Sequence, residues 1–133
     1  MPSQALTTVQ RFFDAFLAGD AEALRELISA DVVFHEPPEL PYGGDHQGYE
    51  GLMHLAQQIM VEFEFRVDGV EMIDLGDDRV VIHEIGVFVS HQTKRKARFP
   101  IVEIYTVKDG RITDVDMYYK APGALRTIHD PAA

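Results

Sequence analysis

The sequence predicts an α+β fold: three N-terminal helices packed on one face of a curved, mostly antiparallel sheet, with a pocket between the two layers. Three observations carry this expectation. Apolar residues recur at helical spacing as far as about Met60. From Glu62 the period changes to two, the signature of half-buried strands. The remaining chain is a series of long apolar-rich runs separated by short turns, the pattern of sequential antiparallel strands.

Leu6, Val9, Phe12, Phe13, Phe16 and Leu17 form the apolar stripe of a helix over roughly residues 4–18. Gly19 stops it, and Asp20 caps a second, short helix whose stripe is Leu24, Leu27 and Ile28. Asp31 opens a strand, Val32–Glu36. Pro37 and Pro38 end it, because neither can donate to a sheet ladder. A third helix starts near Tyr49, with Leu52, Leu55, Ala56, Ile59 and Met60 on one face. Phe63, Phe65 and Val67 then alternate with charged residues. After Asp68-Gly69 the apolar parity switches to Val70 and Met72, which predicts a bulge and a long, bent strand. Gly76-Asp77-Asp78 turns the chain into Val80–Val89, apolar at nearly every position. A basic turn leads to a strand over Ala97–Val107, and Lys108-Asp109-Gly110 makes a tight hairpin into Arg111–Tyr119. The tail from Ala121 is expected to be irregular, with a helical turn near Leu125.

The chain has 133 residues, 46% of them hydrophobic, enough for one domain (1–133) with a real core. A formal charge of -10 disfavours nucleic acid and anionic membranes as partners, since both reward basic surfaces. The basic run Lys94, Arg95, Lys96 and Arg98 reads as a solvated hairpin tip. With no Cys, disulfides, thiolate metal sites and a cysteine nucleophile are excluded. Neither a signal-type leader nor a membrane-length apolar run is present, so the expected location is cytoplasmic. Walker-type, G-x-G-x-x-G and G-x-S-x-G patterns are also absent, and no cofactor is expected.

Two carboxyls stand out as candidate catalytic residues. Glu103 lies in Phe99-Pro100-Ile101-Val102-Glu103-Ile104-Tyr105, and its face-mates by period two are Phe99, Ile101, Tyr105 and Val107. A carboxyl buried there is either paired with a cation or protonated, with a raised pKa. In the protonated state it can donate a hydrogen bond to a developing oxyanion. Glu36 ends its strand before two prolines. There it can remove a proton alpha to a carbonyl, or be no more than an exposed acid capping nearby N–H groups. Phe12, Phe16, His54, His83, Tyr105, Met117 and Tyr119 are the expected substrate-binding residues of a mainly apolar pocket. Either His83 or its neighbour Glu84 faces inward, not both. His35 and Glu36 likewise point to opposite faces. A metal site would need His35, His46, His54 and His83 to converge. No ligand spacing suggests that they do, and no metal is expected. The loop carrying Gly43, Gly44 and Gly48 reads as a rim and lid, or as a plain connector.

The ordered set RFFDAFLAGDAEALRELISADVVFHEP, PYGGDHQGYEGL and FPIVEIYTVKDGRITDVDMYY resembles the nuclear transport factor 2-like superfamily. That is the cone-shaped fold of ketosteroid isomerases and SnoaL-like polyketide cyclases, and the resemblance covers roughly residues 5–120. Against the isomerase pattern, the general-base aspartate falls on Glu36 and the oxyanion-hole aspartic acid on Glu103, each one methylene longer. The oxyanion-hole tyrosine of the first helix falls on Phe12, which has no hydroxyl, and a terminal aromatic falls on Tyr119. The resemblance implies a cofactor-independent isomerase, cyclase or dehydratase. Such an enzyme would work on an apolar carbonyl compound through an enolate, with Glu36 as acid/base and Glu103 as oxyanion donor. A non-catalytic hydrophobic-ligand binder or dimerisation module of the same fold is the alternative. Epoxide hydrolysis, as in the limonene-epoxide hydrolase branch, would need Arg66 inside the cone. Val81, Ile85, Val87, Val102 and Ile104 fall on the outer sheet face if Glu103 points inward. That predicts a homodimer through the sheet.

Overall fold

Helix α1 runs over Gln4–Ala18 because its apolar residues share one face and both ends are capped. The Ser3 side chain accepts from the Leu6 N–H at 3.0 Å, and Gly19 closes the helix with φ 69°, a left-handed conformation that costs glycine little. Asp20 caps α2, Ala21–Leu27, accepting from the Ala23 N–H at 3.2 Å. The computed structural model describes residues 2–133. The following elements are β1 (Ile28–Glu36), β2 (Gly44–Gln47), α3 (Gly48–Glu62), β3 (Phe63–Gly76), β4 (Arg79–Ser90), β5 (Lys96–Lys108), β6 (Arg111–Tyr119) and α4 (Gly123–His129).

The strands form one open, six-stranded sheet in the order β2-β1-β6-β5-β4-β3. Every neighbouring pair is antiparallel except β1 and β6, which run parallel. Two helices, not three, precede the sheet. The third enters between β2 and β3, because the chain must first lay β1 beside the C-terminal strand β6. Ile28 begins β1 rather than ending α2, and the short strand β2 is an addition to the expected elements. The parity switch at Gly69 is a bulge: Val67 pairs with Gly86 and Gly69 with Ile85, leaving Asp68 as the extra residue.

The core lies between the helices and the inner sheet face, and includes Val9, Phe12, Phe34, Leu52, Leu55, Ile82, Phe88, Ile101 and Val115. In β4 the inward residues are Val80, Ile82, Glu84, Gly86 and Phe88, and in β5 they are Phe99, Ile101, Tyr105 and Val107. The segment 37–43, expected as a rim and lid or a connector, is packed down on the protein. Leu40 and Tyr42 are each 1% exposed, and Arg126 donates to the Leu40 carbonyl at 2.9 Å. A Cβ on Gly43 would lie 2.3 Å from the Pro37 carbonyl oxygen, so only glycine lets this segment fold back so tightly. At the β4–β5 turn, Arg95 donates to the carbonyls of Ala133 (3.1 Å) and Asp130, while Ser90 Oγ bonds His129 Nδ1 at 2.9 Å. The basic turn therefore anchors α4 and the residues after it. No helix among the described residues is long and apolar enough to cross a membrane.

Candidate functional site

β1 delivers Glu36 to the inner face because Val32, Phe34 and Glu36 share a parity and all three are buried. His35 consequently lies on the opposite face. Its two ring nitrogens bond Asp45 and Asp114 at 2.8 Å each, and these carboxylates, Asp45 first, raise its pKa. β5 delivers Glu103 and Tyr105, two residues apart on one face, and the Tyr105 hydroxyl donates to Glu103 Oε1 at 2.6 Å. Ile82 pairs with Glu103 and Ile101 with Glu84, so the register sets Glu84 diagonally across from Glu103 on the same inner face.

These groups line one cavity of about 60 Å³. Its walls are apolar and aromatic: Phe12 lies 6.0 Å from Phe34 and 5.9 Å, edge-on, from Tyr105 (ring centroids), while Phe88 lies 6.2 Å from Tyr119. Three carboxyls, Glu36, Glu84 and Glu103, share it with the hydroxyls of Tyr105 and Tyr119, and its lining contains no Lys, Arg or His. Glu36 is 5% exposed and Glu84 2%. Glu36 Oε1 and Glu84 Oε2 are buried without a hydrogen-bond partner. In so apolar a surround that is a costly state for polar atoms and a natural one for a ligand to relieve.

Burial, and then the charge of Glu103, push the Glu36 pKa up to about 8, against the pull of its bond from Tyr119. The Tyr119 and Tyr42 hydroxyls lie 2.7 Å apart. When Tyr119 donates to Glu36 it accepts from Tyr42, giving a chain of donors from Tyr42 to the carboxyl. Glu84 is pushed far above the carboxylate range by burial first, then by the charge of Glu103 and a hydrogen bond to it. Beside the Glu103 charge the protonated form of Glu84 is favoured, and that form can donate to Glu103. Burial also raises the pKa of Tyr105, Tyr119 and Tyr42, keeping all three hydroxyls as donors.

Of the residues expected from sequence, Glu36, Glu103, Phe12, Phe16, Tyr105, Met117 and Tyr119 come together around this cavity. His54 and His83 do not. His54 is exposed on α3, one position off the buried stripe of Leu52 and Leu55, and pairs with the ring of His46 at 6.3 Å. His83 is exposed on the outer sheet face because the β4–β5 register turns Ile82 and Glu84 inward. Arg66 also points outward, donating to Asp68 at 3.0 Å, so the arginine that epoxide hydrolysis would need is not inside. Sequence reasoning missed Phe34, which shares the parity of Glu36 and was legible on that ground, and Tyr42, which sits in a loop with no period to orient it.

The SnoaL-like domain family matches residues 9–115. No curated protein matches the chain. Among solved structures, a nuclear transport factor 2-like protein from Burkholderia xenovorans LB400 is similar, with TM-score 0.87 and 24% identity over 96% of each chain. A putative polyketide cyclase from Xanthomonas campestris pv. campestris superposes with TM-score 0.79 at 21% identity, covering 94% of this chain and 96% of its own. TerC, co-crystallised with polyporic acid, gives TM-score 0.82 at 20% identity over 96% of this chain and 100% of its own. At these identities the structural likeness carries the fold alone.

Proposed function

The chain belongs to the SnoaL-like domain family, and from that membership we propose that it acts on a small apolar carbonyl compound through an enolate-type intermediate. The observation that carries this reading is the set of three carboxyls facing one aromatic, cation-free cavity, with Glu36 raised to about 8 and Glu84 raised further. Ionised Glu36 takes a proton from the carbon alpha to the carbonyl. The C–H electron pair becomes the C=C bond of the enolate, and the carbonyl π pair moves onto oxygen. Glu103 is the oxyanion donor once the Glu84 proton has passed to it, leaving Glu84 ionised, while the Tyr105 hydroxyl donates to Glu103 Oε1. Neutral Glu36 then returns the proton to carbon, the same atom or one further along the enolate. No net charge or atom is gained by the protein. Phe12 supplies no hydroxyl, and the hydroxyls in the cavity come from Tyr105 and Tyr119. The similar structures described as a putative polyketide cyclase and as TerC co-crystallised with polyporic acid are in keeping with a small organic substrate.

The test is exchange of alpha protons in D2O, followed by NMR over a panel of neutral ketones. The expected result is protein-dependent deuteration of at least one of them. No exchange across the panel, with ketones binding the cavity, would leave the alternative, a non-catalytic ligand-binding module.

Of the five residues expected on the outer sheet face, Val81, Ile85, Val102 and Ile104 are half-buried while Val87 is already buried within the chain at 1% exposure, and Tyr118 is 54% exposed. The helices cover only the inner face. A homodimer through this surface follows as part of the proposal. Light scattering at micromolar concentration is expected to give twice the 15.0 kDa chain mass; a monomer contradicts it.

A further inference from the structure

The acid-lined cavity holds little: about 60 Å³ is room for roughly two waters at their liquid volume, or the few heavy atoms of a small carbonyl group. Beside it, between the end of α1, α2 and α3, lies an open groove of about 710 Å³. The two adjoin, and Phe16, Leu17, Ile59 and Phe65 line both. Their chemistry differs sharply. All three carboxyls and both tyrosines belong to the cavity, whereas Gln57 is the one polar side chain along the groove. The groove's rim holds large apolar groups in water: Met60 is 71% exposed, Val61 67% and Leu17 52%. Such a cluster marks a surface that is covered in use.

Building on the function proposed above, we infer that the substrate is amphiphilic, with its carbonyl head among the cavity carboxyls and an extended apolar chain laid in this groove. The polarity step fixes the orientation, because a polar head in the groove would find only Gln57. The adjacency of the two, with four lining residues in common, favours a chain attached to the cavity's own ligand over an unrelated occupant. Met53 and Met60 are unbranched and adaptable, suited to chains of varying shape.

Calorimetric binding of methyl ketones, from butan-2-one to decan-2-one, tests this. Once the chain outgrows the cavity, each added methylene is expected to tighten Kd about fourfold, the equivalent of ~0.8 kcal/mol per buried CH2. Met60→Glu and Val61→Glu, at exposed positions where folding is readily checked by circular dichroism, are expected to flatten that dependence. Affinity independent of chain length, or a dependence that survives both substitutions, overturns the inference. So does wild-type self-association that either substitution abolishes, which would give the groove to a second copy of the chain. A chain-length gain without any alpha-proton exchange supports the groove site and counts against the reaction alone.

Discussion

Glu36→Gln is expected to lower alpha-proton exchange by roughly 10²–10⁴-fold, the usual contribution of a positioned acid/base. Glutamine keeps the shape of the side chain and can still accept from Tyr119, so the cavity wall is preserved while the proton carrier is lost. The pH dependence follows from the same group. A carboxyl titrating at about 8 is ionised in only a minority of molecules at neutral pH, yet is a much stronger base than an ordinary glutamate when it is. The wild-type rate is therefore expected to climb with pH to about 8 and then level off. Turnover unchanged in Glu36→Gln, or a rate already flat from pH 5, removes Glu36 from the assigned role.

The second large effect is on stability. In the folded protein Glu36 holds a proton up to about 8, whereas its ordinary value is 4.5. Between those values the native state binds more protons than the unfolded chain, so the stability from this group is present below pH 4.5 and lost as pH rises toward 8. Glu84 acts with the same sign. At about 1.4 kcal/mol per pH unit, the contribution of Glu36 alone is of order 4–5 kcal/mol by pH 8. Glu36→Gln and Glu84→Gln are thus each expected to be more stable than wild type at pH 8, with the advantage gone near pH 4.5. Denaturant midpoints measured at both pH values check this, and parallel profiles for wild type and variants would contradict it. A site that is inactivated and stabilised by one substitution is a site held in a costly state for function.

The elements were legible where one physical rule dominated. The stripe of α1, its glycine stop, the Asp20 cap and the bulge at Gly69 each follow from a local rule that the fold obeys. Strand β2 was not legible, because the four residues Gly44–Gln47 carry no alternation and are held by pairing with β1. For the site, Glu103 could be read because apolar face-mates surround it and fix its direction. His83 could not be told from Glu84, since β4 is apolar on both parities and only its register with β5 decides. His54 failed for a related reason: one step around a helix carries a side chain from the buried stripe to solvent. Tyr42 depended on the path of a loop that the Gly43 close approach dictates. The third carboxyl and the Tyr42–Tyr119 pair are products of tertiary register, not of any local pattern.

The proposed chemistry requires that the cavity keep glutamic acids neutral at physiological pH. Carboxyl-detected 13C NMR of glutamate-labelled protein, titrated from pH 4 to 9 and assigned with Glu36→Gln and Glu84→Gln, tests it directly. The expected result is one glutamate signal moving at about pH 8, lost in Glu36→Gln, and a second, lost in Glu84→Gln, still protonated at neutral pH. Glu36 and Glu84 both titrating in the ordinary carboxylate range would contradict it.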